Sequence, residues 1–381
     1  MSGRAALSGL SIAVALAAAW AGHELPVYPS FYPHEIEIRT LAPQQAAAAL
    51  RQARVHAYLG TGLGFAGAPP EPIRAVESLG ALVVVRVNRE SPLGRDEGSV
   101  CAAVEQVMRA LTEPEGDFVF HPYPVTPFDG DYLYHLDLAE AAKARVAAGA
   151  SDRLPTGGEL RVKASRDFVR RHPAWSAERA DWDVEIREVN AAGLVAESAH
   201  ALNGLIAPPW LRTGWFRAER LLSEAVRDPA QQQRADTDFS GLTSGGYDGL
   251  TERINLERDL VAALTNGCSA AIAGYTVKRQ YFNDDYSAGI ENVDSDAIEG
   301  LQSPTFIRTV KLKDFPWNGW LALATDAAPD AAWNPIAGMT DPFGRLMWDA
   351  MGDPAVLPSP REAGWMLNRI SDVQRNQGAG P

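Results

Sequence analysis

Residues 81–87 read ALVVVRV. One charged side chain, Arg86, breaks an otherwise apolar run. A strand covered on both faces looks like this, whereas a half-exposed strand alternates. The segments before it set the rhythm. Glu35–Leu41 (EIEIRTL) alternates apolar and polar residues and predicts a strand. Ala42–Ala53 (APQQAAAALRQA) predicts a helix, because Pro43 suits a first turn and alanine has the best helix propensity. Val55–Gly60 (VHAYLG) predicts a second strand, and Ile73–Leu79 a short helix. Strand, helix, strand in this order implies a parallel sheet covered by helices. Beyond it, Ser99–Leu111 and Leu136–Ala148 read as helices and Asp117–Phe120 as a strand.

Composition limits the alternatives. The chain has 381 residues, a formal net charge of −13 and two cysteines. This length allows about two domains. The acidic balance argues against nucleic acid as a partner, since phosphate backbones are bound by clustered Lys and Arg. Two cysteines are too few for a disulfide-dense scaffold, an iron–sulfur site or a four-cysteine zinc site. Residues 1–21 (MSGRAALSGLSIAVALAAAWA) combine an early cation, Arg4, an apolar run and an Ala19-Trp20-Ala21 cleavage pattern. That is the layout of a secretory signal peptide. The expected product is a periplasmic or secreted protein beginning near Gly22. In an oxidising compartment Cys101 and Cys268 can pair. Both also sit in core-like contexts, which leaves two buried thiols as the alternative.

The segment 148–158 (AGASDRLPTGG) has turn formers and no apolar periodicity. It divides the expected organisation into a first α/β lobe over 22–150 and a second lobe over 151–365, with a frayed tail over 366–381. The nine tryptophans of the exported chain all lie between Trp175 and Trp365. The second half should therefore pack differently and more irregularly. Helices are expected over Ala191–Leu205, Trp215–Val226 and Leu250–Leu264. Strands are expected at Ala270–Val277 and Phe306–Leu312, and a polar loop at Asp228–Asp248.

Several constellations bear on chemistry. Gly62-Leu-Gly64-Phe-Ala-Gly67 matches the dinucleotide pattern, but Pro69, Pro70 and Pro72 forbid the helix that must follow. The loop, with Thr61 and Gly62, is instead a candidate for a small ligand at a strand end. Phe120–His135 (FHPYPVTPFDGDYLYH) gathers His121, Tyr123, Asp131 and His135 on a Pro-rich frame, for ligand contact, a metal, or packing at a junction. Asp236-Thr-Asp238-Phe-Ser240-Gly241 opens like a calcium loop, yet Tyr247 stands where the bidentate Glu belongs. An acidic run from Asn283 to Glu299 is bordered by Tyr286 and is either a solvated face or a source of paired carboxylates. Trp317 and Trp320 are either core fillers or a stacking platform. A mature Gly22-His23 terminus offers copper ligands. No other cofactor is indicated. No nucleophile-elbow, zinc-protease or P-loop motif is present.

The run Ala49–Gly60 (ALRQARVHAYLG), with the strands Glu35–Leu41 and Ala81–Val87 and the segment Asn88-Arg-Glu-Ser-Pro92, resembles the opening of a periplasmic solute-binding protein of the two-lobed, phosphonate-receptor type. The resemblance covers residues 35–93. It implies a first lobe whose loop ends, around Thr61 and Ser91, face a ligand in an interlobe cleft. The combined expectation is an α/β, two-lobed protein with mainly parallel sheets covered by helices and an irregular Trp-rich second half. Its expected role is an exported binding or accessory protein for a small molecule. The alternatives are a periplasmic hydrolase or lyase using the acidic-aromatic loops, and a non-catalytic subunit of a periplasmic redox or membrane transport complex.

Overall fold

The computed structural model describes residues 33–65, 68–113, 116–149, 159–198, 208–314, 319–328, 341–352, 354–368 and 370–372. The signal-peptide reading, the Gly22-His23 terminus, the 150–158 boundary, Gly67, Trp317 and the tail from 373 fall outside the described residues. The elements are β1 (Glu35–Thr40), α1 (Pro43–Arg51), β2 (Ala57–Tyr58), β3 (Ile73–Val87), α2 (Glu97–Ala110), β4 (Phe118–Phe120), α3 (Leu136–Ala148), β5 (Val162–Ala164), α4 (Arg166–Arg171), β6 (Val184–Asn190) and α5 (Ala191–Ala196). Then come α6 (Gly214–Leu222), α7 (Pro229–Ser244), α8 (Leu250–Thr265), β7 (Ala270–Asn283), β8 (Ile290–Glu291), α9 (Pro304–Thr309), β9 (Lys311–Leu312), β10 (Trp320–Thr325), α10 (Pro342–Met351), β11 (Val356–Pro358) and β12 (Trp365–Leu367).

The class is α/β, with one large sheet flanked by helices. Its order is β1-β10-β2-β7-β3-β6-β5, and β4 pairs on β7. Parallel pairing lies at the flanks, where β1, β10 and β2 run together and β5 runs with β6. The long central strands β3 and β7 pair antiparallel, as do β3 with β6 and β2 with β7. The expected strand–helix–strand start is real, but β10 inserts between β1 and β2. Strands from both sides of residue 150 share this one sheet, so that position does not separate two sheets. Helical pattern alone could not foresee the long pairing that makes Ile73–Leu79 the first half of β3 rather than a helix. The strand shifts register at Gly80, whose missing Cβ leaves room for Thr276: an added Cβ would lie 3.0 Å from its hydroxyl, which accepts from the Ala81 amide.

Three further expectations change. Asp228–Asp248 contains the helix α7 rather than a polar loop; Asp228 caps it through the Ala230 amide and Pro229 occupies its first turn. Phe306–Leu312 begins in α9, which the Ser303 hydroxyl caps through the Phe306 amide, with Pro304 leading. Met366 and Leu367 belong to strand β12 rather than to a frayed end. The apolar core lies on both faces of the sheet. One cluster joins Leu82 and Tyr275 to Trp215, Phe216 and Leu260; another joins Val83 and Val85 to Val104, Met108 and Phe168. Cys101 of α2 is bonded to Cys268 just before β7, so the pairing is present. Among the described residues no helix is long and apolar enough to cross a membrane.

Candidate functional site

One pocket has a volume of about 380 Å³ and is built by four short elements. Helix α10 starts cleanly because Asp341 accepts from the Phe343 and Gly344 amides and Pro342 fills the first turn. Phe343 and Leu346 are buried in the core beneath α10, and Arg345 and Asp349, one turn apart, line the pocket. The hairpin of β11 and β12 supplies Val356, Leu357, Pro358 and Trp365. Helix α5 adds Ala192 and Val195. The fourth wall is the turn 296–302. There the Asp296 carboxylate accepts from the Ile298 and Glu299 amides at 2.7 and 2.8 Å. Gly300 closes the turn at a φ of 64°, where a Cβ would lie 2.2 Å from the Gln280 side-chain oxygen. This turn places Glu299 on the pocket wall.

The charges around the pocket are mostly matched. Arg212 is ion-paired to Asp296 and donates to the Ser359 carbonyl at 3.3 Å. Arg345 lies 3.7 Å from Glu299, whose side chain keeps 29% of its surface open. Lys278 donates to the Glu299 carbonyl at 3.0 Å, and burial holds its pKa down. Glu299 is pushed up, first by burial and then by Asp296. Asp349 differs from the rest, because no hydrogen bond or ion pair engages its carboxylate among the described residues. Burial, reinforced by Glu299, raises its pKa to about 7, against the opposing pull of Arg345 and Arg308. A cavity of this size, with apolar walls and a few polar groups, is the ordinary form of a small-molecule site. A desolvated carboxyl inside it is a recognised mark of function. Asp296 and Glu299 belong to the acidic run visible in the sequence. Asp349 and Arg345 had only a four-residue spacing on a helix to signal them.

The residues expected to bind ligand do not converge on this pocket. Thr61 and Gly62 border an open groove of about 750 Å³ on the face of β3 and β7. Its loop is tied down, since the Thr61 amide and hydroxyl both donate to Asp326, at 2.8 and 2.9 Å. Its charges are neutralised in place, with Arg279 donating to Glu77 and Asp117. Ser91 is buried and donates to the Asn88 carbonyl at 2.8 Å, stabilising a turn. It borders neither cavity.

His121, Tyr123, Asp131 and His135 do assemble, but inside the core. The His121 Nε2 contacts the Val125 carbonyl at 2.8 Å, and the Tyr123 hydroxyl contacts His135 Nδ1 at 2.8 Å. Asp131 is held by Arg253 at 2.9 and 3.0 Å, and Arg253 also donates to Glu257 at 2.7 Å. The histidines are 2% and 0% exposed, and their partners are protein groups. A shared metal is corrected by this geometry: Asp131 is taken by an arginine, and among the described residues no group of three His, Cys, Asp or Glu side chains could hold an ion. The calcium reading at Asp236, Asp238 and Ser240 is corrected too. These positions are in α7, where about 100° per residue sends Asp236 and Asp238 to opposite faces. Asp236 accepts from Gln232 at 2.8 Å, while Asp238 is buried. Tyr286 and Trp320 are 94% and 73% exposed and border neither cavity, so they form no stacking platform with the pocket.

No family model matches the sequence, and no curated protein matches it. Solved structures do. HbpA2 from Haemophilus parasuis is 12% identical, with 71% of this chain and 56% of that one covered and a TM-score of 0.41. NikZ from Campylobacter jejuni, in complex with Ni(L-His), is 15% identical over 66% and 56%, at 0.35. An ABC transporter substrate-binding protein from Sinorhizobium meliloti is 12% identical over 68% and 58%, at 0.36. The chain spans little more than half the length of these proteins.

Proposed function

We propose that this chain is an exported protein that holds a small molecule in the pocket between α10, the β11–β12 hairpin, α5 and the turn 296–302. One observation carries the reading: a cavity of about 380 Å³ with apolar walls is lined by Asp349, whose carboxylate has no hydrogen-bond or ion-pair partner among the described residues. Two features support export. Residues 1–21 have the signal-peptide layout, with cleavage after Ala21, and a disulfide joins Cys101 to Cys268. A membrane transport complex as the receiver of the ligand belongs to the same proposal. So does the solute-binding type that residues 35–93 resemble. The ligand's chemistry follows from the pocket rather than from that resemblance. The test is a thermal-shift screen of the mature protein against cationic, neutral and anionic metabolites, repeated with Trp365→Ala. A ligand at 100 times its Kd adds about 2.7 kcal/mol of stability. The reading expects at least one such shift, lost in Trp365→Ala. Absence of any shift, or shifts indifferent to that substitution, overturns it.

A further inference from the structure

We infer that the ligand of this pocket is a small organic cation with an apolar body, bound through Asp349. The inference rests on the pocket reading above and names its ligand class. The argument is one of unmatched charge. Each basic side chain on the wall already has a partner: Arg212 is bound to Asp296 and to the Ser359 carbonyl, and Arg345 faces Glu299. An anionic ligand would have to break these pairs and would then sit beside a second, unpaired carboxylate. A cation does the reverse. It supplies Asp349 with the partner that the fold withholds and shares the field of Glu299. Removing a charge from water is costly unless it is paired, so the gain from such a partner is large in a buried cavity.

The remaining walls fit the rest of such a molecule. Val195, Pro304, Val356, Leu357 and Pro358 provide an apolar lining, and Trp365 provides an indole on the wall. Aromatic rings attract cations over their faces. A bare metal ion fits poorly, because among the described residues there is no set of three liganding side chains. The groups facing Asp349 from each packed element are Arg345 on its own helix, Arg308 of α9 and Glu299 of the turn. Behind Glu299 stand Lys278 of β7, Arg212 and Asp296. Proton loss from Asp349 is the event a cation competes with. Affinity for the cation should fall as pH drops through 7.

Three probes of one shape test this by calorimetry on the mature protein: 2-phenylethylamine, 2-phenylethanol and 3-phenylpropionate. The amine should bind at least tenfold more tightly than the alcohol at pH 8. The advantage should shrink towards pH 6, with proton release on binding. Asp349→Asn should abolish the advantage while leaving the alcohol's affinity within about twofold. Equal or tighter binding of the alcohol or the carboxylate overturns the cation class and leaves a binding pocket standing. An amine preference that survives Asp349→Asn overturns the role of Asp349. Binding of none of the three overturns this inference, while the pocket reading stands or falls by the thermal-shift screen.

Discussion

Asp349→Asn should make the empty protein more stable, and increasingly so as the pH rises. The substitution keeps the side chain's shape and removes its proton equilibrium. In the unfolded chain this carboxyl titrates near 3.8, and in the folded pocket at about 7. Between those values the folded state holds the extra proton, so wild-type stability falls as pH rises and the loss is complete above the folded pKa. At roughly 1.36 kcal/mol per pH unit the full cost is about 4 kcal/mol, of which about 2.5 kcal/mol develops between pH 5 and pH 8. Glu299 shares the same field and Asp349 is only partly buried, so a measured value near 1–2.5 kcal/mol is expected. Urea denaturation of wild type and variant at pH 5, 6.5 and 8 reads it directly, because their difference cancels the titrating groups that do not interact with Asp349. A difference curve flat to within about 0.5 kcal/mol would mean that the Asp349 carboxylate is hydrated or paired in solution, and the unmatched-charge argument would fail with it.

Other perturbations probe the scaffold. Arg217, fully buried, donates to both Asp129 oxygens at 2.6 Å, so Arg217→Ala should cost about 3–5 kcal/mol in urea denaturation. The Arg217→Met, Asp129→Leu double variant should cost less than Arg217→Ala; if it costs as much, the two charges do not act as a pair. Replacing Cys101 and Cys268 with serine opens a link across 167 residues, worth about 5 kcal/mol in the chain-entropy treatment, and an unchanged midpoint would show that the thiols are unpaired in solution. Gly300→Ala forces a side chain into a left-handed turn and against Gln280, costing about 2–4 kcal/mol and displacing Glu299, so ligand affinity should fall together with stability.

Legibility in the sequence follows the range of the interaction that decides each element. The start was readable because local terms agree there: the proline-led, alanine-rich α1 and the alternation of β1 need no distant partner. Ile73–Leu79 differs from its expected helix for the opposite reason. Its strand state comes from pairing with residues about 200 positions away, and the pattern IRAVESL suits a helix as well as a strand. The same distance explains why β10 could not be seen to enter between β1 and β2. Pairing direction was hidden too, since β3 and β7 meet through a long excursion rather than a single crossover. The α7 region shows the limit of composition. Polar residues there cover a surface helix started by Asp228 and Pro229, and polarity without apolar periodicity does not distinguish such a helix from a loop.

The site was hidden by a subtler effect. Sequence motifs reward residues that are dense or close together, and dense polar clusters are the ones a fold most easily satisfies internally. Phe120–His135 illustrates this: His121, Tyr123, His135 and Asp131 each have a hydrogen-bond partner within the protein. The carboxylate that lines the pocket without a hydrogen-bond or ion-pair partner among the described residues is Asp349, and such a residue leaves no local pattern. Asp349 sits alone on a ten-residue helix, and Glu299, its neighbour in space, is 50 positions away. Only the acidic run ending at Glu299 pointed towards this region. Unsatisfied charge inside a cavity is a property of the folded arrangement and not of any local sequence pattern, and titrating Asp349 measures it before any ligand is known.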